Sequence, residues 1–339
     1  MGVKLGDIVP RKPADISDFS GWVVAVDTFN TLYQFLSTIR QPDGTPLMDD
    51  RGRITSHLSG LLYRTTSLIE SGIKPVFIFD GEAPEEKEGT IESRKHIREV
   101  AAKEWQEAID EGDIEKAARK ARQSSKLTAE IIDESKELLR LMGVPVVQAP
   151  SEGEAQAAYM AERGDVRAAV SQDFDSLLFG TPILIRNLTV SGRRKVARRD
   201  IYITVTPEII ELEAALSANG ITREQLIDIA ILVGTDFNRG IKGIGPKKGL
   251  KLIKKHGSLE GVMEEKGLEI PNYRRLREIF LSPTVTDSYE INWNKADGEG
   301  IKELLCREHD FSEKRVESAI KRLDKHFQAT KQRSLDSWF

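Results

Sequence analysis

Short apolar runs without polar alternation recur through the first half of the chain, and each stops at an acid. Trp22-Val23-Val24-Ala25-Val26 runs into Asp27, and Pro75-Val76-Phe77-Ile78-Phe79 runs into Asp80-Gly81. Unalternating β-branched and aromatic runs of this length predict strands buried on both faces. Between them Leu58, Leu61, Leu62, Thr65, Leu68 and Ile69 keep helical spacing. Strand, helix and strand in that order imply a right-handed parallel crossover. Val144 to Val147 precedes Ser151-Glu152-Gly153-Glu154, and Ala168 to Ser171 precedes Gln172-Asp173-Phe174-Asp175. The pattern predicts an α/β protein with a mostly parallel central sheet flanked by helices.

From Glu82 to about Met142 the alternation gives way to helix-forming residues, broken at Gly112-Asp113, where Asp113 can cap a second helix. The segment is too long for an ordinary crossover and reads as an excursion from the sheet. Within it Lys116, Arg119, Lys120, Arg122 and Lys126 have no acid among them, and their spacing places them on one helical side. A solvated helix face explains this strip as well as a polyanion track does. A second basic cluster, Arg193-Arg194-Lys195 with Arg198-Arg199, follows Ser191-Gly192 in a stretch that reads as a turn.

Composition narrows the classes. The chain has 339 residues, of which 31% are charged and 39% hydrophobic, enough for a sizeable core and against intrinsic disorder. No apolar run approaches the roughly 18 residues of a membrane span, and the N-terminus lacks the apolar stretch of a signal peptide. A soluble, cytoplasmic protein is expected, with no membrane partner. The lone Cys306 excludes an internal disulfide and any cysteine-based metal site. Fifty basic residues against 54 acidic give −4, which on its face argues against a polyanionic partner.

The acids change that inference. In open parallel sheets ligands collect beyond the carboxyl ends of the strands. Asp27, Asp80, Glu152, Glu154, Asp173 and Asp175 follow the strand candidates, and Asp236 closes another apolar stretch, Ile229 to Thr235. Seven gathered carboxylates are unstable unless cations neutralise them or protons bind. Oxygen-only ligation suits Mg²⁺ or Mn²⁺ and disfavours structural zinc. Any one of these acids has an ordinary reading as a turn or cap residue; their coincidence at four or more strand ends points to a metal site. A phosphatase of the Asp-x-Asp type needs a second acid after the first strand, and Asp27-Thr28-Phe29 lacks it. With the seven set aside as ligands, 50 − 47 gives +3.

Two further signals concern partners. Ile241-Lys242-Gly243-Ile244-Gly245-Pro246-Lys247-Lys248-Gly249 predicts a tight turn between two helices. The backbone N–H groups opening the second helix would form an anion site beside Lys247, Lys248 and Lys251, grip for a phosphate backbone without base reading. At the other end Gln332, Leu335, Trp338 and Phe339 put two aromatics at the end of a polar tail. One 3₁₀ turn would align Leu335, Trp338 and Phe339, either to pack on the protein's own surface or to dock on a partner.

Together these segments resemble the flap endonucleases of the structure-specific 5′ nuclease superfamily over essentially the whole chain. The carriers are Val26-Asp27 with Tyr33-Gln34-Phe35-Leu36, Thr55-Ser56-His57-Leu58, Gly72 to Gly81, Leu141 to Pro145, Ala149 to Ala155, Asp173-Phe174-Asp175, Gly234-Thr235-Asp236 and Gly243 to Lys247. The terminal Gln332-x-x-Leu335-x-x-Trp338-Phe339 matches the box that docks on the sliding clamp PCNA, and a chain stopping on that box resembles archaeal members.

The resemblance implies a PIN-like 5′ nuclease fold. It divides into a nuclease region over 1–98, a helical arch over 82–133, a second nuclease region over 116–258 with a helix-hairpin-helix-type motif at 228–257, a helical region over 259–330 and a clamp-binding tail over 331–339. It implies a monomer that hydrolyses a phosphodiester near the base of 5′ flaps in branched DNA, with 5′-3′ exonuclease activity, in replication (Okazaki fragment maturation) and base excision repair. Two Mg²⁺ ions, replaceable by Mn²⁺, would bind the seven acids, with Asp80, Glu152 and Glu154 mainly on one and Asp173, Asp175 and Asp236 on the other. Lys87 and Arg94 would act on the scissile phosphate together with Asp80 and Asp175, the basic strip to Lys126 would line the passage of the flap, and Gly2 would lie near the site. Tyr33 would stack on a base. Arg40, Thr55, Arg64, Glu152, Gly234, Asp236, Gly243, Gly245, Lys247 and Lys248 complete the DNA contacts, and K⁺ would sit at the glycine hairpin, where Gly240 replaces a family serine. A 5′ exonuclease and a Holliday-junction resolvase are the neighbouring readings; a non-catalytic, clamp-tethered DNA scaffold is the alternative of another class.

Overall fold

Val24 and Val26 are buried against one face of a central sheet and Ala25 against the other; Phe77 and Phe79 oppose Val76 and Ile78 in the same way. Both strands are therefore covered on both faces, as unalternating runs require. The computed structural model describes residues 2–41, 44–111, 113–190, 192–195 and 202–336.

In chain order, β1 (Lys12–Pro13) precedes β2 (Val23–Asp27), which leads into α1 (Thr28–Thr38) and α2 (Ser56–Glu70) before β3 (Lys74–Phe79). The excursion comprises α3 (Glu88–Asp110) and α4 (Ile114–Gln123), and α5 (Ala129–Leu141) returns to β4 (Val146–Gln148). Then come α6 (Gly153–Glu162), β5 (Ala168–Val170), α7 (Asp175–Leu178), β6 (Ile183–Arg186), β7 (Gly192–Lys195), β8 (Tyr202–Val205) and β9 (Glu208–Glu211). Helices close the chain: α8 (Leu212–Asn219), α9 (Arg223–Val233), α10 (Pro246–His256), α11 (Leu259–Lys266), α12 (Tyr273–Leu281), α13 (Gly298–Lys302) and α14 (Glu313–Asp336).

The main sheet runs β1-β9-β6-β5-β2-β3-β4. Its five strands from β6 to β4 are parallel, while β9 is antiparallel to β6 and β1 to β9. Strands β5, β2, β3 and β4 are thus adjacent and point the same way, so everything following them emerges at one edge. The chain reverses its direction of sheet-building between β2 and β5, the place where open α/β sheets hold ligands. Residues of α2, α5, α13 and α14 cover one face. The other is covered by α6, whose Ala157 and Ala161 allow close approach, and by an extended strap carrying Tyr289, Ile291 and Trp293. Helices α7 to α12 build a third apolar cluster with Val3, Leu5, Ile8 and Val9. Among the described residues no helix is long and apolar enough to cross a membrane.

The run ending at Val233 is helix α9, the first of the two helices flanking the glycine turn; its five apolar residues alone fit a helix or a strand, and the capping box formed by Thr222 and Gln225 marks the helix start. Some expectations need correction. Gly192 to Lys195 is a strand paired with β8 and not a turn; Arg198 and Arg199 lie outside the described residues. In the excursion, buried Ala101 and Ala108 of α3 and Ala117 and Ala121 of α4 are small enough for the two helices to pack tightly. Asp113 caps α4 by accepting from the Lys116 N–H at 2.9 Å. Because α4 stops at Gln123, Lys126 falls beyond the helix whose face it was expected to share. After the excursion α5 starts at Ala129 and packs on α2, burying Ile131, Leu138 and Leu139.

Candidate active site and nucleic-acid interface

Parallel strands deliver acids to one edge: Asp27 from the end of β2, Asp80 after β3, Glu152 and Glu154 after β4, and Asp173 and Asp175 after β5. Asp236 arrives from a helix. Gly234, at φ +106°, ends α9; Asn238 Oδ1 accepts from the Thr235 hydroxyl and Asn238 Nδ2 donates to the Ile231 carbonyl, folding the turn back on that helix. The N-terminal segment presses on the same place, since a Cβ on Gly2 would stand 2.5 Å from Asp175 Oδ2.

Each acid has a donor. Asp27 accepts from the Asn30 N–H at 3.0 Å and from Ser171 Oγ at 3.1 Å. Asp80 accepts from the Gly153 N–H at 2.7 Å, Glu154 from Ser176 Oγ at 2.9 Å, Asp175 from the Val3 N–H at 2.9 Å and Asp173 from Asn30 Nδ2 at 3.1 Å. The remaining two are held by cations: Lys87 Nζ lies 2.5 Å from Glu152 Oε2, and an Arg94 nitrogen 2.5 Å from Asp236 Oδ1.

The charges interact. Burial first, then the charges of Asp27 and Glu152, push the Asp80 carboxyl up to about 8. Burial raises Asp175 to about 7, with Asp236 and Asp173 adding to it, and Asp27 to about 6. Glu154 is held well above the usual range by burial and then by Asp175, Asp27 and Asp173. Burial works against the Lys87 ammonium, yet Glu152, Asp80 and Asp236 keep its pKa above the ordinary value. All seven acids are therefore linked in one field. Among the described residues no three of them converge as closely as a metal shell requires, and Lys87 and Arg94 sit on two of them. The donor set nonetheless fits a hard dication, being all oxygen and too negative to stay charged without cations.

The other candidates are distributed around this edge. Tyr33 lies under Arg98 of α3, whose guanidinium carbon is 4.7 Å from the ring centre. Arg40 donates to the Gly44 carbonyl at 2.8 Å and to Ser125 Oγ at 2.7 Å, tying the loop after α1 to the end of the excursion; burial, then Arg122, lowers its pKa to about 10. Thr55 is buried at the start of α2, while Arg64 is exposed. The expected strip is not purely basic in space: Lys116 pairs with Glu111 at 3.1 Å and Lys120 with Glu104 at 2.5 Å.

The glycine hairpin joins α9 to α10 as expected, with Pro246 in the first turn of α10 and Gly249 3.2 Å, by its would-be Cβ, from Ile229. Lys247 and Lys248 are exposed, and Gly243 takes φ +82°. Gly240, at φ +66°, has the backbone of Val233 and Gly234 where a Cβ would go, so this turn has no room for the serine side chain. Gln332 and Leu335 continue α14, which replaces the expected 3₁₀ turn up to Asp336; Trp338 and Phe339 lie outside the described residues.

Comparison with known proteins gives the family. Residues 1–101 match the XPG N-terminal domain and residues 143–236 the XPG I-region, which between them contain all seven acids. A flap endonuclease 1 from Methanosarcina barkeri is 54% identical over 339 residues, covering 100% of both chains. The chain belongs to the flap endonuclease family. The solved flap endonuclease-1 of Methanococcus jannaschii, 42% identical, superposes with a TM-score of 0.78 over 97% of this chain and 100% of its own. The catalytic core of Rad2 in complex with DNA substrate shares the fold at 22% identity, with a TM-score of 0.70 over 94% of this chain and 97% of that one. As a flap endonuclease family member the protein is a metal-dependent nuclease, a hydrolase of phosphodiester bonds, and replication and repair are the family's settings.

Sequence reasoning missed the donors. Asn30, Ser171 and Ser176 follow no periodicity and match no motif quoted above, and neither does Arg98 over Tyr33; a polar residue one turn beyond a site acid, as Asn30 is to Asp27, was the local signal.

Proposed function

We propose that the chain cuts branched DNA near the base of 5′ flaps and trims nicked duplex 5′-3′, with Asp27, Asp80, Glu152, Glu154, Asp173, Asp175 and Asp236 holding two Mg²⁺ ions that Mn²⁺ can replace. The gathering of these seven side chains at one sheet edge, linked in one field, carries the reading. Bound there, the dications supply a water nucleophile and stabilise the leaving 3′ oxygen. The protein's own residues do the rest. Lys87 and Arg94, which pair with Glu152 and Asp236, exchange those partners for the scissile phosphate and offset its growing charge. Tyr33 exchanges Arg98 for a nucleobase, since both stack on a ring face.

The first turn of α10, with Gly243, Gly245, Lys247 and Lys248, grips the phosphate backbone without reading sequence, and Gly234 and Asp236 connect that grip to the site. Arg40, Thr55, Arg64 and Lys126 extend the DNA surface. K⁺ at the hairpin would rest on backbone carbonyls alone, because Gly240 brings no side chain. We read residues 1–98 and 116–258 as the nuclease core, 82–133 as the arch over it and 259–330 as its helical support, in a cytoplasmic monomer.

A double-flap DNA with Mg²⁺ should release the flap plus about one paired nucleotide, and chelation should stop the reaction. Cleavage that survives chelation would refute this reading. Preference for a four-way junction with dimerisation would make the protein a resolvase, and efficient digestion of blunt duplex a processive exonuclease.

We also propose that Gln332, Leu335, Trp338 and Phe339 dock on the sliding clamp PCNA. Deleting 332–339 should remove stimulation by the clamp and spare intrinsic cleavage; clamp binding that persists after the deletion removes this assignment.

A further inference from the structure

Asn30 ties Asp27 to Asp173 through the carboxylates of both, while Ser171 Oγ, which donates to Asp27 Oδ2 at 3.1 Å, meets Asp173 only at its backbone N–H. Its N–H donates to Asp27 Oδ1 at 3.0 Å and its Nδ2 to Asp173 Oδ2 at 3.1 Å, spanning the acids that follow adjacent strands β2 and β5. Behind it the chain of donors continues. Gln34 Nε2 donates to Asn30 Oδ1 at 2.8 Å, and Thr189 Oγ1 donates to Gln34 Oε1 at 3.4 Å. The three side-chain donors, from Thr189 through Gln34 to Asn30, run toward Asp173. The direction is enforced, because a flipped Asn30 amide would set oxygen against the carboxylate and N–H against N–H of Gln34. Thr189 is buried in the turn just before β7.

We propose that Asn30 is a positioning residue for Asp173: a neutral amide that fixes one carboxylate oxygen and leaves the other for a dication, with Gln34 and Thr189 holding the amide in its orientation. Lys87 and Arg94 also hold acids, but as cations they compete with a metal for the same charge. A neutral donor orients the ligand and does not have to leave when the metal arrives. Outer partners of this kind tune metal affinity by about 10–100-fold. The inference rests on Asp173 being a ligand.

The test is equilibrium binding of Mn²⁺ to the DNA-free protein, followed by the spin-resonance signal of free Mn²⁺, for the natural chain and for Asn30→Ala, Gln34→Ala and Asp173→Asn. Asn30→Ala should weaken binding by about tenfold, Gln34→Ala by less, and Asp173→Asn most. In cleavage assays Asn30→Ala should need more Mg²⁺ for half-maximal rate, regain most of kcat at high Mg²⁺ and keep its KM for flap DNA. Alanine suits a helix, so the variant should fold, which far-UV dichroism checks. Unchanged Mn²⁺ affinity in Asn30→Ala beside a loss in Asp173→Asn overturns the positioning role alone. Unchanged affinity in Asp173→Asn overturns the ligand reading, and the positioning role with it. A raised KM for DNA with intact Mn²⁺ binding reassigns Asn30 to the DNA and also overturns the proposal.

Discussion

Asp80→Asn is expected to stop cleavage and, in the same protein, to raise the melting temperature when metal is chelated. Asp80 stands at about 8 because burial and the charges of Asp27 and Glu152 disfavour its ionised form. A carboxyl whose pKa is raised by folding retains in the folded state a proton that the unfolded chain loses near pH 4. Stability therefore falls as pH rises from about 4 through 8, with most of the penalty present by about pH 8 and all of it above. Asp27 at about 6, Asp175 at about 7 and the raised Glu154 add to the same slope. The asparagine keeps the volume, and its carbonyl can still accept the Gly153 N–H. The chelated variant should gain on the order of a few kcal/mol at pH 8 over the natural chain, and the gap should shrink as pH drops. Saturating Mg²⁺ should close or reverse it, since only the natural site binds the ion fully. The cleavage rate should drop by at least about 10²–10³-fold. Calorimetry with and without chelator, at pH 6 and pH 8, reads the first effect and a single-turnover assay the second. Equal melting of the two proteins at pH 8 would contradict the electrostatic account, and near-normal cleavage would remove Asp80 from the site.

The strands that carry the acids were legible for a simple reason. Val24 to Val26 and Pro75 to Phe79 lie in the middle of the sheet with both faces buried, so every position had to be apolar. At the antiparallel edge β9 (Glu208–Glu211) is only half-buried and begins and ends in glutamate, and β1 is two exposed residues; neither leaves a hydrophobic signature. Asp236 closes an apolar run that does not by itself decide its element, because such a run on a buried helix looks like one on a buried strand. The pairing of acids with cations was the hardest to foresee. Lys120 meets Glu104, and Arg94 meets Asp236 across 142 residues, contacts that depend on how α3 and α4 lie over the sheet edge. Charge counted along the chain records none of this, so a strip that is basic in sequence became partly neutral in space.

Lys87→Ala should have the opposite effect on stability from Asp80→Asn while sharing its loss of rate. The Lys87 ammonium is 2.5 Å from Glu152 and is favoured by Asp80 and Asp236 against the cost of its burial. Its removal leaves the acids with less compensation, so the chelated variant should melt lower than the natural chain, and the difference should widen between about pH 6 and pH 8 as the carboxyls ionise. Mg²⁺ should restore most of the stability because the ion replaces the missing charge. It should not restore the rate: under single turnover at saturating flap DNA, cleavage should stay about 10²–10³-fold down, as expected when a cation aimed at developing charge is lost. Lys87→Arg keeps the charge with a different shape, and should retain stability while recovering only part of the rate. A rate defect that vanishes at saturating DNA would confine Lys87 to binding. The double variant Asp80→Asn/Lys87→Ala is the sharper measurement, since it removes one charge of each sign from a single field. The two effects on chelated melting should then be strongly non-additive, because the lysine is worth less once one of the acids it offsets is neutral.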